Sequence, residues 1–415
     1  MTRPELLAAV QDWKSLEIIS DIADAIYFGI KNYNMRIKAN NFDRKDLEKV
    51  VEYCRAQSPP LKCYLTTNIL IYDSELQDLE NLIIEAKDAG IDAIIAHDFA
   101  AIQIAKRVNI NFHVSTQANV SNIEAAKFYE ENGAERIILA RELSLKQIRL
   151  IKHLLTKTKI ECFVHGSMCT SISGRCYLSA TVCDSEEYSA NRGNCIQPCR
   201  REWRVIDDRN NEFIYDGQMF LNAKDLCMIE YIPELIEAKI DAFKIEGRMR
   251  DPLYINEVSA CYREAIDAYY DKIFTLEKVQ TWLKRLKKVY NRGFSTGFYF
   301  GVPKGSEIEK DVEGNVSDYR KIEIGKVLSY YPEKKAAKIL LTSGKLKLDD
   351  EIFFLGTHTD TFLRQRISSI QIKQKKNLTE TSLVTNKNNR ISVGIIVDKP
   401  VKKNDKIFKI KHRKK

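Results

Sequence analysis

Six of the chain's ten cysteines crowd between residues 162 and 199, and these are the residues whose type and spacing best suit chemistry. Four of them run Cys169-x6-Cys176, then eighteen residues, then Cys195-x3-Cys199. Four thiolates suit either a 4Fe–4S cluster or one zinc ion. Structural zinc sites draw their ligands from two short Cys-x2–4-Cys knuckles. Only the second pair has that spacing, which tilts the reading modestly toward iron–sulfur. Gly174 and Gly193 would let the backbone pass close to a bulky cofactor. Cys162 falls in an apolar run and reads as core. Cys183 lies outside the paired spacing. Cys227, after Lys224-Asp225-Leu226, stays open as an alternative fourth ligand. Cys54, Cys63 and Cys261 read as small buried hydrophobes.

The elements that must hold these thiols are legible in the first 250 residues. Eight short β-rich runs alternate with amphipathic helical stretches: Glu5–Ala8, Ala25–Gly29, Leu61–Thr66, Ala93–His97, Phe112–Ser115, Arg136–Ala140, Glu161–His165 and Ala242–Glu246. Eight strands separated by helices predict an α/β fold, a (β/α)8 TIM-like barrel over residues 1–301, with a cysteine-rich insertion (166–241) after the seventh strand. Residues 302–319 read as a linker. Residues 320–415 hold short, alternating, β-branched runs, among them Arg366–Ile372, and predict a small all-β barrel. Inside the insertion, Trp203–Asp207 and Glu212–Tyr215 flank a turn and predict a hairpin.

In such a barrel the active site lies at the C-terminal strand ends. Several of those ends are polar here: Asn68, His97-Asp98, Ser115-Thr116-Gln117, His165-Gly166 and Glu246-Gly247-Arg248. Each residue alone is as well explained as a turn or helix cap; five at one rim make a candidate site. Glu246 would act as general acid or base and Arg248 would hold a phosphate or carboxylate, or the two would pair structurally. Gln117 and Asn68 would read a base edge or cap turns. His165 with Cys169 is the one nucleophile–base pair that a hydrolase reading can offer.

Charge is unevenly placed. Residues 320–415 carry 24 Lys and Arg against 9 Asp and Glu, leaving 42 against 48 for residues 1–319. A basic C-terminal part points to a polyanionic partner, with a solvated lysine-rich surface as the plain alternative. Arg192, Arg200, Arg201 and Arg204 would add positive charge beside the thiols, and Tyr177 and Trp203 would stack on a base or pack in the core. No apolar run reaches the roughly 20 residues of a membrane span. The N-terminus lacks the pattern of a secretory signal, so the cytoplasm is the expected compartment.

Residues 161–179, Glu-Cys-Phe-Val-His-Gly-Ser-Met-Cys through Gly174-Arg175-Cys176-Tyr177-Leu178-Ser179, resemble the signature of the U32 peptidase-like family at every specified position. Leu221–Leu226, Phe243–Arg248 and Asn291–Gly297 are similar to the family as well. The resemblance implies an iron–sulfur protein of oxygen-independent hydroxylation, with Cys169, Cys176, Cys195 and Cys199 holding a 4Fe–4S cluster. It implies as substrates ribosomal RNA, the wobble uridine of tRNA (giving 5-hydroxyuridine) or a ubiquinone precursor, with prephenate as co-substrate in the tRNA branch and an electron donor as partner. The family's older name implies a collagenase-like peptidase instead. A third reading is an RNA-binding factor without catalysis. Where family members commonly have an Ala-Pro-Ala-Gly turn after the first strand, this chain has Ala8-Ala9-Val10-Gln11.

Overall fold

The computed structural model describes residues 2–212, 221–309, 315–356, 359–372, 376–385 and 389–412. It divides into two compact units at Val316/Ser317. In the first unit, β1 (Glu5–Ala9), β2 (Ala25–Phe28), β3 (Lys62–Thr67), β4 (Ala93–Ala96), β5 (Phe112–Val114), β6 (Arg136–Ile138) and β7 (Lys159–Gly166) are laid side by side in chain order. All pair in parallel. β8 (Asp225–Cys227) stands outside this ring, antiparallel to the end of β7. β9 (Ala242–Ile245) closes the ring, pairing in parallel with both β7 and β1. These are the eight strands expected of a (β/α)8 barrel, each within a residue or two of its sequence assignment.

The strands close because every one of them, Lys62 and Lys159 at the open ends aside, is almost wholly buried. Apolar runs buried on both faces need helices outside and side chains inside. The helices supply the outer layer: α1 (Trp13–Ile19), α2 (Leu47–Arg55), α3 (Leu76–Asp88), α4 (Phe99–Val108), α5 (Ile123–Glu131) and α6 (Leu145–Leu154) each follow a strand. α7 (Leu178–Cys183) lies in the insertion, α8 (Ile232–Glu237) precedes β9, and α9 (Pro252–Tyr270) and α10 (Leu276–Leu286) follow it. Side-chain caps set the starts of α1, α4, α5, α6, α9 and α10: Asp12, Asp98, Asn122, Ser144, Asp251 and Thr275 each accept a backbone N–H of the first turn.

β10 (Phe294–Ser295) pairs in parallel with β8 and extends the sheet beyond the ring. Much of the stretch expected as a linker is bonded to this unit: Lys224 N–H donates to the Glu307 carbonyl at 3.0 Å, Glu309 N–H to Asn222 O at 2.9 Å and Val316 N–H to Asn291 O at 2.8 Å. The expected hairpin in the insertion is present as a bridge between Ile206 and Glu212, turned by Asp207, whose side chain accepts the Arg209 and Asn211 N–H groups; residues 213–215 lie outside the described residues.

The second unit is an antiparallel sheet around one apolar core that includes Val327, Ile339, Leu341, Ile352, Phe354, Ile395 and Ile407. Its strands are β11 (Tyr319–Tyr331), β12 (Ala336–Leu341), β13 (Glu351–Leu355), β14 (Phe362–Arg366), β15 (Gln371–Ile372), β16 (Lys376–Asn377), β17 (Ile391–Ile396) and β18 (Lys406–His412). They stand in the order β14-β13-β18-β11-β12-β17-β15-β16. The single strand expected over Arg366–Ile372 is broken. Ile367 and Ile370 are both buried, a spacing of three that a strand of period two cannot bury on one face, so the chain turns between them.

Candidate functional site

Strand ends converge on one small cavity at the C-terminal mouth of the barrel, about 40 Å³ in volume and open to solvent. Tyr27, Thr66, Asn68, Gln117, Phe163, Lys244, Glu246 and Arg248 line it from β2, β3, β5, β7 and β9 or just beyond, joined by Arg36 and Arg141. Gln117, Glu246 and Arg248 are therefore brought together as the sequence suggested. Arg36 and Arg141 were not singled out. Arg141 immediately follows β6 and so obeys the same strand-end rule; Arg36 lies in a long loop after β2, where no local pattern marks it.

Glu246 does not pair with Arg248. Its Oε1 accepts from Arg36 Nε at 3.1 Å and Nη2 at 2.9 Å. Burial pushes the Glu246 carboxyl up, but the guanidiniums of Arg36 and Arg141 outweigh it and hold the group below the usual carboxylate range. Glu246 is thus a carboxylate, able to accept a proton rather than to donate one. Arg248, 2% exposed, donates to Thr66 Oγ1 at 3.0 Å and to Asn41 Oδ1. Burial pushes its guanidinium down to about 10, and its Nε has no partner. Arg141 donates to the Ser167 carbonyl at 2.6 Å and stacks over the Phe163 ring at 3.9 Å. Gln117 Oε1 accepts from Ser115 Oγ and from Asn68 Nδ2 at 3.3 Å, so these three form one polar wall.

Below the mouth, Lys244 Nζ donates to Glu161 Oε1 at 2.7 Å. Glu161 Oε2 accepts from Arg136 Nη1 at 2.9 Å, which also reaches Glu5 at 2.6 Å. This buried set fills the barrel axis and passes one cation, Lys244, up into the cavity wall.

His165 is not at the mouth. The β7–β9 register shifts between Phe163 and His165. One extra residue at that point turns His165 to the opposite face from Phe163. Its ring packs against Tyr254, Tyr262 and Phe294, with Nδ1 3.3 Å from the Tyr262 hydroxyl. Burial pushes its imidazole down to about 4. His97 and Asp98 are placed on the rim by sequence, but Asp98 caps α4 through Ala100 N–H at 2.9 Å and accepts Ile71 N–H at 3.1 Å.

The thiols separate into two kinds. Cys54, Cys63, Cys162, Cys227 and Cys261 are buried. Cys227 lies in β8, where burial pushes its thiol up to about 12 and the Tyr262 hydroxyl is its neighbour. Cys169 is exposed and Cys176, Cys195 and Cys199 are half-buried, the first three on loops of the insertion and Cys199 in the short 3-10 turn Pro198–Arg200; Cys183, also half-buried, ends α7. Burial raises the Cys195 and Cys199 thiols, and Cys169 and Cys176 add to the effect on both, so the four are electrostatic neighbours; Cys227 is not among them. Among the described residues, no three His, Cys, Asp or Glu side chains are gathered as a single-ion site. Around one zinc, with bonds of about 2.3 Å, the sulfurs would stand roughly 3.8 Å apart. Arg36 and Arg200 supply positive charge to these thiols, and Gln197 N–H donates to Cys195 Sγ at 3.3 Å. Cationic neighbours and N–H···S contacts suit an anionic iron–sulfur group.

The close approaches that require glycine are to the rim. A Cβ on Gly174, two residues before Cys176, would stand 2.9 Å from Gln117 Cβ. One on Gly193, two residues before Cys195, would run into the Asn34 carbonyl and Met35. Both have positive φ, +75° and +85°. The insertion is therefore pressed onto the mouth at two points, which brings thiols and cavity together.

The surrounding arginines serve structure more than charge. Arg192 pairs with Glu75 and Arg204 with Glu212. Arg200 is buried and donates to Ala223 O at 2.7 Å, Asn222 Oδ1 and Met168 O. Trp203 donates to Pro198 O at 2.9 Å, whereas Tyr177 is 75% exposed. In place of the family's turn after β1, Gln11 Nε2 donates to Arg250 O at 2.8 Å and ties that corner shut.

A parallel barrel with a polar mouth roofed by a cysteine-bearing insertion defines the class. The chain belongs to peptidase family U32, whose sequence model matches residues 11–309. It is similar to an uncharacterized protease of Methanocaldococcus jannaschii, 39% identical over 99% of both chains. It is similar also to a collagenase of Porphyromonas gingivalis, 37% identical over 99% of this chain and 98% of that one. A tRNA hydroxylation protein of Bacillus subtilis is 36% identical over 87% of this chain and 85% of its own. Among the described residues no helix is long and apolar enough to cross a membrane.

Proposed function

We propose that the chain is an oxygen-independent RNA hydroxylase, acting on tRNA at the wobble uridine, with an iron–sulfur cluster on Cys169, Cys176, Cys195 and Cys199. The observation that carries this reading is the packing of the cysteine-bearing insertion, at Gly174 and Gly193, onto the rim of a cavity walled by Arg36, Arg141, Lys244 and Arg248. When bound, the cluster would supply single electrons. Arg141 and Arg248 make no ion pair among the described residues, and their charges would receive the anionic part of a ligand, an RNA phosphate or the carboxylate of a co-substrate such as prephenate. Gln117 and Asn68 would meet a base edge, and ionised Glu246 would take a proton. A uridine must leave its stack to enter such a mouth. The exposed Tyr177 would stack on an unpaired base, and the basic second unit would add phosphate contacts. The relatives' names divide between peptidase and RNA hydroxylation. The site favours the second, because the turn of His165 toward Tyr262 removes the base that Cys169 would need for hydrolysis.

The test is anaerobic purification with iron, sulfide and zinc analysis beside a Cys169→Ala variant, then nucleoside mass spectrometry of tRNA from a deletion strain. About four irons per chain, lost in the variant, together with loss of 5-hydroxyuridine in the deletion, is the expected result. Zinc, or full hydroxylation in the deletion strain, would overturn the reading.

A further inference from the structure

Arg36 is bonded to the Glu246 carboxylate and directly follows the segment against which the cysteine-bearing insertion packs. Its Nε and Nη2 both bond Glu246 Oε1, and its Nη1 bonds the Met35 carbonyl at 2.8 Å, so the guanidinium is held on both edges. Its backbone is held as well. Arg36 N–H donates to Asn34 Oδ1 at 2.9 Å, and Met35 N–H donates to Asn68 Oδ1 at 3.2 Å. Gly193, two residues before Cys195, packs on this same Asn34-Met35 segment. The Arg36 side chain is 27% exposed and that of Glu246 11%, so solvent screens their charges only in part.

We propose that Arg36 and Glu246 together set the reduction potential of the iron–sulfur group, with opposite signs, and so couple its electron affinity to the charge state of the mouth. The proposal rests on the reading of the four thiols as that group's ligands. A fixed positive charge beside thiolates favours the state with one more electron, and a carboxylate bonded to that charge offsets it. Coupling of this kind is reciprocal. Whatever neutralises Glu246 makes reduction easier, and adding the electron makes Glu246 easier to protonate.

The experiment is a redox titration of the reconstituted full-length protein, followed by electron paramagnetic resonance, for wild type, Arg36→Met, Arg36→Lys, Glu246→Gln and the Arg36→Met/Glu246→Gln double variant. At the wild-type midpoint, Arg36→Met should lower the reduced-to-oxidised ratio roughly tenfold, a shift of about 59 mV for one electron, and Glu246→Gln should raise it by a similar factor. Arg36→Lys, which keeps the charge, and the double variant, which removes a neutral pair, should both lie close to wild type. Shifts of the two single variants in one direction, or none in proteins with full iron, would overturn the proposal while leaving the cluster reading intact. A wild type that binds no iron would overturn that reading itself, and the proposal with it.

Discussion

Beneath the mouth of the barrel Glu5 and Glu161 meet Arg136 and Lys244, two charges of each sign. At the mouth Arg36, Arg141 and Arg248 face one carboxylate, Glu246. Both sets bring basic side chains to glutamates, but Arg136, Glu161 and Lys244 are buried whereas the Arg36 side chain is 27% exposed. The lower set is closed: each charge has a protein partner of opposite sign, and Tyr64 and His113 pack beside it. The upper set is left with positive charge to spare, and a buried cation without a counter-ion is costly unless something else arrives to meet it. Charge balance thus distinguishes a part that holds the barrel together from a part that waits for a ligand.

The largest effect should come from opening the closed set. Glu161→Ala leaves Arg136 and Lys244 buried without one of their carboxylates, at a cost of about 3–5 kcal/mol in urea unfolding. A loss under 1 kcal/mol would mean that water reaches the axis and that the two sets are not different in kind.

Acid should act on the interior next. The folded protein keeps His165 neutral down to about pH 4, whereas the unfolded chain takes up that proton near 6.5. Stability is therefore complete above pH 6.5 and declines as the pH falls toward 4, by up to about 3 kcal/mol. His97 and His113, also depressed first by burial, act with the same sign. Glu5 then takes over. Burial raises its carboxyl, but Arg136 brings it down to about 2, so its contribution is present above pH 4.5 and is lost between there and 2. Urea unfolding across this range should show a shallower upper limb for His165→Gln and an unchanged lower one.

The smallest effect on stability should be at the mouth. Arg141→Met should change unfolding by about 1 kcal/mol or less, yet weaken binding of a small dicarboxylate such as malonate roughly tenfold or more. Calorimetry on both proteins checks this. Equal affinities would show that the surplus charge is not a binding device.

The barrel was readable because each strand is a short apolar run between helices with recognisable caps, and because eight such runs leave one closed arrangement. Spacing singled out the four thiols in the sequence, and the family signature runs through two of them, Cys169 and Cys176. What escaped the sequence depends on register and on long contacts. A period of two puts Glu161, Phe163 and His165 on one face, and one bulge moves His165 to the other. The partner of Glu246 is 210 residues away in the chain, in a loop with no repeating pattern, so the nearer Arg248 looked the natural choice. Gly174 and Gly193 were recognised as close approaches, but what they approach is Gln117 and the Asn34-Met35 segment, which only the folded chain brings alongside.

Those two glycines give the site a clearance as well as a chemistry. Neither bears a functional group, and together they fix the gap between roof and rim. One methyl group at either position would act as a shim, lifting the insertion off the wall with every cysteine, arginine and carboxylate still in place. The fit of roof to rim therefore leaves no room for even one added carbon at either position.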